Sequence, residues 1–90
     1  MTLSAVQTTR FRRDIRQMTR RGKNLALLEV VVRKLAAQEP LPTRNRDHDL
    51  VGDWNGYREC HIAPDWLIIY KINGMDLILA RTGSHSDLFG

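Results

Sequence analysis

Ninety residues, 42% hydrophobic and 27% charged, describe one small soluble domain spanning 1–90, with no room for separate cofactor and substrate domains. The net charge of +4 and a pI near 9.8 favour a polyanionic partner, while the single cysteine, Cys60, excludes an intrachain disulfide and a multi-cysteine zinc site and suits a reducing cytosol. The longest apolar run, Leu25 to Val32, is broken by Glu29 and falls far short of the ~20 residues of a membrane span. The residues after Met1 are polar and basic, so the expectation is a cytoplasmic protein with no membrane partner.

Leu3 to Thr8 alternates weakly, as an edge strand would. Thr8 or Thr9 can cap a helix running to about Arg21, with Phe11, Ile15 and Met18 on one face and arginines over the rest. Gly22 ends it. Asn24 can cap a second helix whose stripe of Leu25, Leu28, Val32 and Leu35 is stopped by Pro40 and Pro42. After a polar loop the period changes to two. Tyr57 to Ile62, Trp66 to Ile72 and Met75 to Thr82 read as strands, with Ala63-Pro64-Asp65 as one turn and Asn73-Gly74 as a two-residue hairpin. Gly83 to Gly90 is a turn or short helix. The β-α-α-β-β-β order predicts an α+β fold, an antiparallel sheet with the two helices packed on one face.

Charge divides the chain. Residues 1–45 carry ten Lys/Arg against three Asp/Glu, and residues 46–90 carry four against seven. A run of arginines on a helix is often a solvated face. Here the asymmetry gives equal weight to a phosphate-binding surface that includes Arg12, Arg13, Arg16 and Arg20.

All three histidines, His48, His61 and His85, fall in the second half at loops or strand ends. Imidazole exchanges protons near neutral pH. His61 and Asp65 flank one turn, Arg81 ends the last strand, and His85 lies just beyond, so a meander brings them to one sheet edge. Turn decoration is the plainer reading of His61 and Asp65. Basic groups beside histidines also suit phosphodiester cleavage: one group takes the ribose 2′-hydroxyl proton, an arginine faces the developing phosphate charge, and an acid protonates the leaving 5′-oxygen. No metal is required for that chemistry. A metal site of His48, His61, His85 and Asp65 stands second, because no tight ligand motif is present. Cys60 points away from its neighbour His61 on a strand and reads as a small core residue.

Asp47 to Lys71, DHDLVGDWNGYRECHIAPDWLIIYK, and the tail ARTGSHSDLFG, residues 80–90, resemble the YafQ branch of the RelE-like bacterial toxins. The combination of His48, Gly52, Trp54, Gly56, Arg58, His61, Pro64-Asp65-Trp66, Arg81-Thr82-Gly83, His85 and Leu88-Phe89-Gly90 carries the resemblance. The N-terminal half matches only in element order and basic charge. The resemblance implies a compact RelE-like domain and a ribosome-dependent mRNA endoribonuclease, the toxin of a type II toxin–antitoxin pair. It implies no cofactor and no bound metal. The implied partners are the ribosome with its mRNA and an acidic antitoxin. The functional positions carry over to His48, His61, Asp65, Trp66, Arg81, His85 and Phe89. His85 is the favoured general acid; the base is left open among the other groups. Two departures stand out: Asp49 where proline is expected after the first histidine, and Ala80 where an acid is expected before the arginine. Asp49 places a carboxylate beside His48, which puts that histidine's role in question.

Trp66 and Tyr70 share a strand face, the usual position of core residues, although the resemblance gives Trp66 an RNA contact. Trp54 and Tyr57 read as buttresses of the loop between His48 and His61. Phe89, near the chain end, is hard to bury and suits stacking on a base, or pinning the tail. The competing functional class is a non-catalytic basic module of RelE-like fold that poisons a protein target such as a topoisomerase. Such a module has no need of three histidines, an aspartate and an arginine at one sheet edge.

Overall fold

The computed structural model describes residues 2–90. Strand β1 (Ser4–Gln7) leads into helices α1 (Thr9–Arg20) and α2 (Leu25–Ala36). A short β2 (His48–Asp49) follows, then β3 (Arg58–Ala63), β4 (Trp66–Asn73), β5 (Asp76–Gly83) and a terminal helix α3 (His85–Phe89). Tight 3-10 turns at Thr43–Asn45 and Gly52–Trp54 shape the loops on either side of β2.

The helix ends follow from local chemistry. The Thr8 hydroxyl oxygen accepts the Phe11 N–H at 3.0 Å, and the Asn24 side-chain oxygen accepts the Ala26 N–H at 3.1 Å, each satisfying an amide that the first helical turn leaves open. Gly22 takes a φ of +78° between the two helices, where a side chain would be strained. Phe11, Met18, Leu28, Val31 and Leu35 are buried against Cys60, Trp66, Ile68, Tyr70, Leu77 and Leu79 of the sheet. Each such apolar side chain contributes about 1.5–3 kcal/mol, so this layer is the main anchor of the fold.

The α+β architecture agrees with the sequence reading, with differences in the sheet. Its order is β1-β5-β4-β3-β2, and β1 runs parallel to β5 while the other pairs are antiparallel. Residue alternation fixes which side chains share a face but not the direction of a partner far along the chain, so the parallel edge was not legible. The polar loop contains β2, only two residues long, which pairs His48 with Glu59 and Asp49 with Arg58. The hairpin turn lies one residue later than expected: Asn73 pairs with Asp76, and Gly74, with φ +62°, and Met75 form the two-residue loop. Glycine at the first central position is the II′ pattern.

The second face of the sheet carries a smaller core. Leu67, Ile69, Ala80 and Leu88 are buried there, with Leu50, Trp54 and Tyr57 packed over them. Trp54 and Tyr57 meet edge to face at 5.1 Å, the buttress expected of them. Between Ile69 and Tyr70 the β4–β5 register slips by one residue at Ala80. Beyond that bulge Thr82 pairs with Ile68 and so turns toward the helices. No helix among the described residues is long and apolar enough to cross a membrane.

Candidate active site

The histidines gather on the face that α1 and α2 leave open. On β3, Cys60 pairs with Ile68 and faces the helices, whereas Glu59 pairs with Ile69 and His61 with Leu67, facing the other way. Burial pushes the Cys60 thiol up to about 12, so it remains protonated and takes no part as a thiolate.

At the centre is a cleft of about 600 Å³ lined by Arg44, Arg46, His61, Asp65 and His85, among others. Asp65 ends the β3–β4 turn with φ +54°. One of its carboxylate oxygens accepts the His85 backbone N–H at 2.9 Å and lies 3.0 Å from His85 Nδ1. These hydrogen bonds hold the Asp65 carboxyl below its ordinary range, so it is ionised and orients the imidazole with Nε2 outward. The His61 ring lies 5.7 Å from the His85 ring, and Phe89, 47% exposed, lies 6.2 Å beyond His85. Partial burial lowers the pKa of His61, opposed by the nearby Glu59 charge and aided by Arg46. His61 is therefore neutral near pH 7, with a lone pair to accept a proton.

His85 is carried by α3, and two devices fix α3. Ser84 and Asp87 form a reciprocal capping box, with Ser84 Oγ accepting the Asp87 N–H at 3.1 Å and Asp87 accepting the Ser84 N–H at 2.9 Å. Asp87 also grips Arg21, just past the end of α1, in a two-pronged pair at 2.6 and 2.9 Å. The guanidinium and these N–H donors hold the Asp87 carboxyl far below the usual carboxylate range.

His48 lies at the margin. Its Nδ1 is 2.6 Å from the Arg46 carbonyl, an acceptor only, so that nitrogen carries the hydrogen; Nε2 is 2.9 Å from Glu59 Oε2. Both nitrogens are thus engaged. The carboxylate beside its ring is Glu59, while Asp49 is taken by Arg58 at 2.7 Å. Arg58 and the Tyr70 hydroxyl also hold Asp47, which steadies the start of this loop.

Two expected members stand elsewhere. Trp66 is 1% exposed in the helix-side core and donates its Nε1–H to Thr82 at 3.0 Å, so its ring offers no surface to RNA. Arg81 projects toward α1. Its Nε and Nη2 bind Asp14 at 2.9 and 3.0 Å, and the Thr82 N–H joins the same carboxylate at 3.1 Å. Arg81 consequently lines a different cleft, with Arg10, Arg13, Arg16 and Arg20. Arg12 lies outside that cleft, whereas Arg10, at the head of the same basic run, belongs to it.

Two buried carboxylates also escaped the sequence reading. Asp14 is 6% exposed, and Glu59 is 4% exposed, with Oε1 lacking a hydrogen-bond partner among the described residues. Only the position of Glu59, two before His61 on the same strand face, could have flagged it. Such an orphaned buried oxygen calls for a functional or ionic explanation. Glu59, His61 and His85 each offer a ligand atom, all within 4.8 Å of one another. One oxygen and two imidazole nitrogens suit a borderline divalent cation such as zinc or copper.

Residues 3–90 match the family model described as the bacterial toxin of a type II toxin–antitoxin system, YafQ. The chain belongs to the YafQ toxin family. The mRNA interferase toxin YafQ of Escherichia coli K12 is 38% identical over 81 residues, covering 89% of this chain and 88% of that protein. YafQ in the E. coli DinJ-YafQ toxin-antitoxin complex superimposes with a TM-score of 0.90 at 34% identity, covering 100% of both chains. A metal-bound toxin from Helicobacter pylori superimposes with a TM-score of 0.89 at 38% identity, covering 99% of this chain and 100% of that one. The fold, from the β-α-α start through the sheet, is thus shared with YafQ toxins over nearly the whole chain.

Proposed function

We propose that this chain is a ribosome-dependent mRNA endoribonuclease, restrained by an acidic antitoxin, that cleaves through the ribose 2′-hydroxyl by proton transfer. The observation that carries the proposal is the Asp65–His85 pair facing His61 in one cleft, the two rings 5.7 Å apart. His61 takes the proton from the 2′-hydroxyl, whose oxygen attacks the adjacent phosphorus. The bond to the 5′-oxygen breaks, and His85, steered by Asp65, supplies the proton that the leaving oxygen needs. The products are a 2′,3′-cyclic phosphate and a free 5′-hydroxyl. Phe89, next to His85 and half exposed, is placed to stack on a base at the cleavage site. His48, engaged at both nitrogens, acts by position.

The metal alternative rests on the Glu59, His61 and His85 cluster and on the metal-bound H. pylori relative. The two readings oppose each other, because a ring nitrogen that ligates a cation cannot move a proton. Cleavage of mRNA on translating ribosomes, with and without chelator, separates them. Proton transfer requires full activity in chelator, cyclic-phosphate ends and inhibition by added zinc. Loss of activity in chelator with rescue by zinc would overturn it.

A further inference from the structure

We propose that Arg21 is a positioning residue for cleavage: through Asp87 it holds the His85 imidazole in the place that proton delivery requires. This deepens the endoribonuclease reading, in which His85 supplies the leaving-group proton, and rests on it. Helix α3 has five residues, far fewer than the ~12–15 that keep a helix formed alone in water, so its placement comes from contacts outside it. The capping box of Ser84 and Asp87 shapes the first turn but is internal to the tail. Leu88, packed on Leu67, Ile69 and Ala80, gives one apolar anchor, about which so short a helix can still rock. Asp65 reaches His85 itself, but at a place where both side chains are more than half exposed.

Arg21 adds the tie that stops such rocking. It donates to both carboxylate oxygens of Asp87, and a two-pronged contact fixes the plane of a carboxylate as well as its distance. Arg21 is itself firmly rooted. Its backbone N–H donates to the Gln17 carbonyl at 3.0 Å, and the Lys23 N–H folds back to the Met18 carbonyl at 3.0 Å. Phe11 and Met18, fully buried, seat α1 on the sheet. The helix-side core thus reaches the tail through one ion pair, two residues along the chain from His85. Of the arginines from Arg10 to Arg21, only Arg21 enters an ion pair among the described residues. The Arg21 side chain is 39% exposed, a setting in which an ion pair adds little to stability, so the effect of this one is on position.

Single-turnover cleavage on saturating programmed ribosomes tests the tie, with thermal melting beside it. Arg21→Gln leaves the capping box in place, so its melting temperature should stay near that of wild type. Its rate should fall roughly 10- to 10²-fold, the effect of misplacing a reacting group by about an ångström. Arg21→Lys should recover part of that rate, since it restores the charge without the planar fork. The deciding variant is the double one. In a His85→Ala background, Arg21→Gln should slow cleavage no further, because no imidazole is left to place. The same fold-loss in both backgrounds would overturn this role, since Arg21 would then act independently of His85. So would an Arg21→Gln variant that cleaves at the wild-type rate. A wild-type protein that leaves ribosome-bound mRNA intact would overturn the endoribonuclease reading and this inference together.

Discussion

The two faces of the sheet are built from the same strands yet do different work. On the helix side, Cys60, Trp66, Ile68 and Tyr70 are sealed under α1 and α2. One residue along in each case, Glu59, His61, Leu67 and Ile69 face the side that the 50–57 loop and α3 cover in part. Strand alternation thus keeps the histidines off the helix-side core. Substitutions on the helix side should register as melting temperature, as should those of the buried Leu67 and Ile69 on the other face, whereas substitutions of the histidines there should register as rate.

The sharpest test of that division is His85→Ala. The acid in such a proton transfer contributes ~10²–10⁴-fold, and single-turnover cleavage should drop by that factor while melting and ribosome binding stay unchanged. Cleavage at the wild-type rate would move the acid to another group. Trp66→Ala should give the mirror image. Loss of a fully buried aromatic costs about 3–5 kcal/mol, read as a lower midpoint in denaturant, and the rate per folded molecule should hold. A selective loss of rate with normal stability would return Trp66 to the RNA.

Smaller effects belong to the charged surfaces. Replacing Arg10, Arg13, Arg16 and Arg20 by glutamine should weaken ribosome or antitoxin binding, with the salt dependence reduced by roughly one unit of slope for each phosphate no longer neutralised. Arg12→Gln should matter less, because Arg12 lies outside their cleft. Equal effects would mean a diffuse field rather than a defined groove. The smallest change concerns acid stability. Arg21 and the Ser84 groups depress the Asp87 carboxyl, so its stabilising contribution is present above the ordinary value of 3.8 and is lost as the pH falls below it. Asp87→Asn should melt lower than wild type at pH 7, and the gap should narrow on acidification; a gap independent of pH would assign the loss to the cap alone.

Much of this organisation was legible in the residues. Thr8, Asn24 and Gly22 mark helix ends by local hydrogen bonding and φ preference, and the strand period gives the opposite orientations of Cys60 and His61. What was hidden depends on partners distant in sequence. Asp14 looks like one more polar residue on a basic helix until the bulge at Ala80 brings Arg81 and the Thr82 amide to it. Glu59 looks like a surface acid until β2 brings His48 opposite it. β2 itself is too short for any period to declare it. The burial of Trp66 was half visible, since its alternation with Ile68 and Tyr70 marks a core face that the family resemblance outweighed.

The junction of β5 and α3 has a further consequence. A methyl group on Gly83 would come within 2.9 Å of Asp87 Cβ and 3.0 Å of its Oδ2. The tail helix therefore sits against the strand with no clearance for even one carbon, and Asp87 is at once its cap, its tether to Arg21 and its point of closest approach. The position of His85 is thus set from behind, at a seam outside the cleft, and a substitution there would move the imidazole without altering the cleft walls.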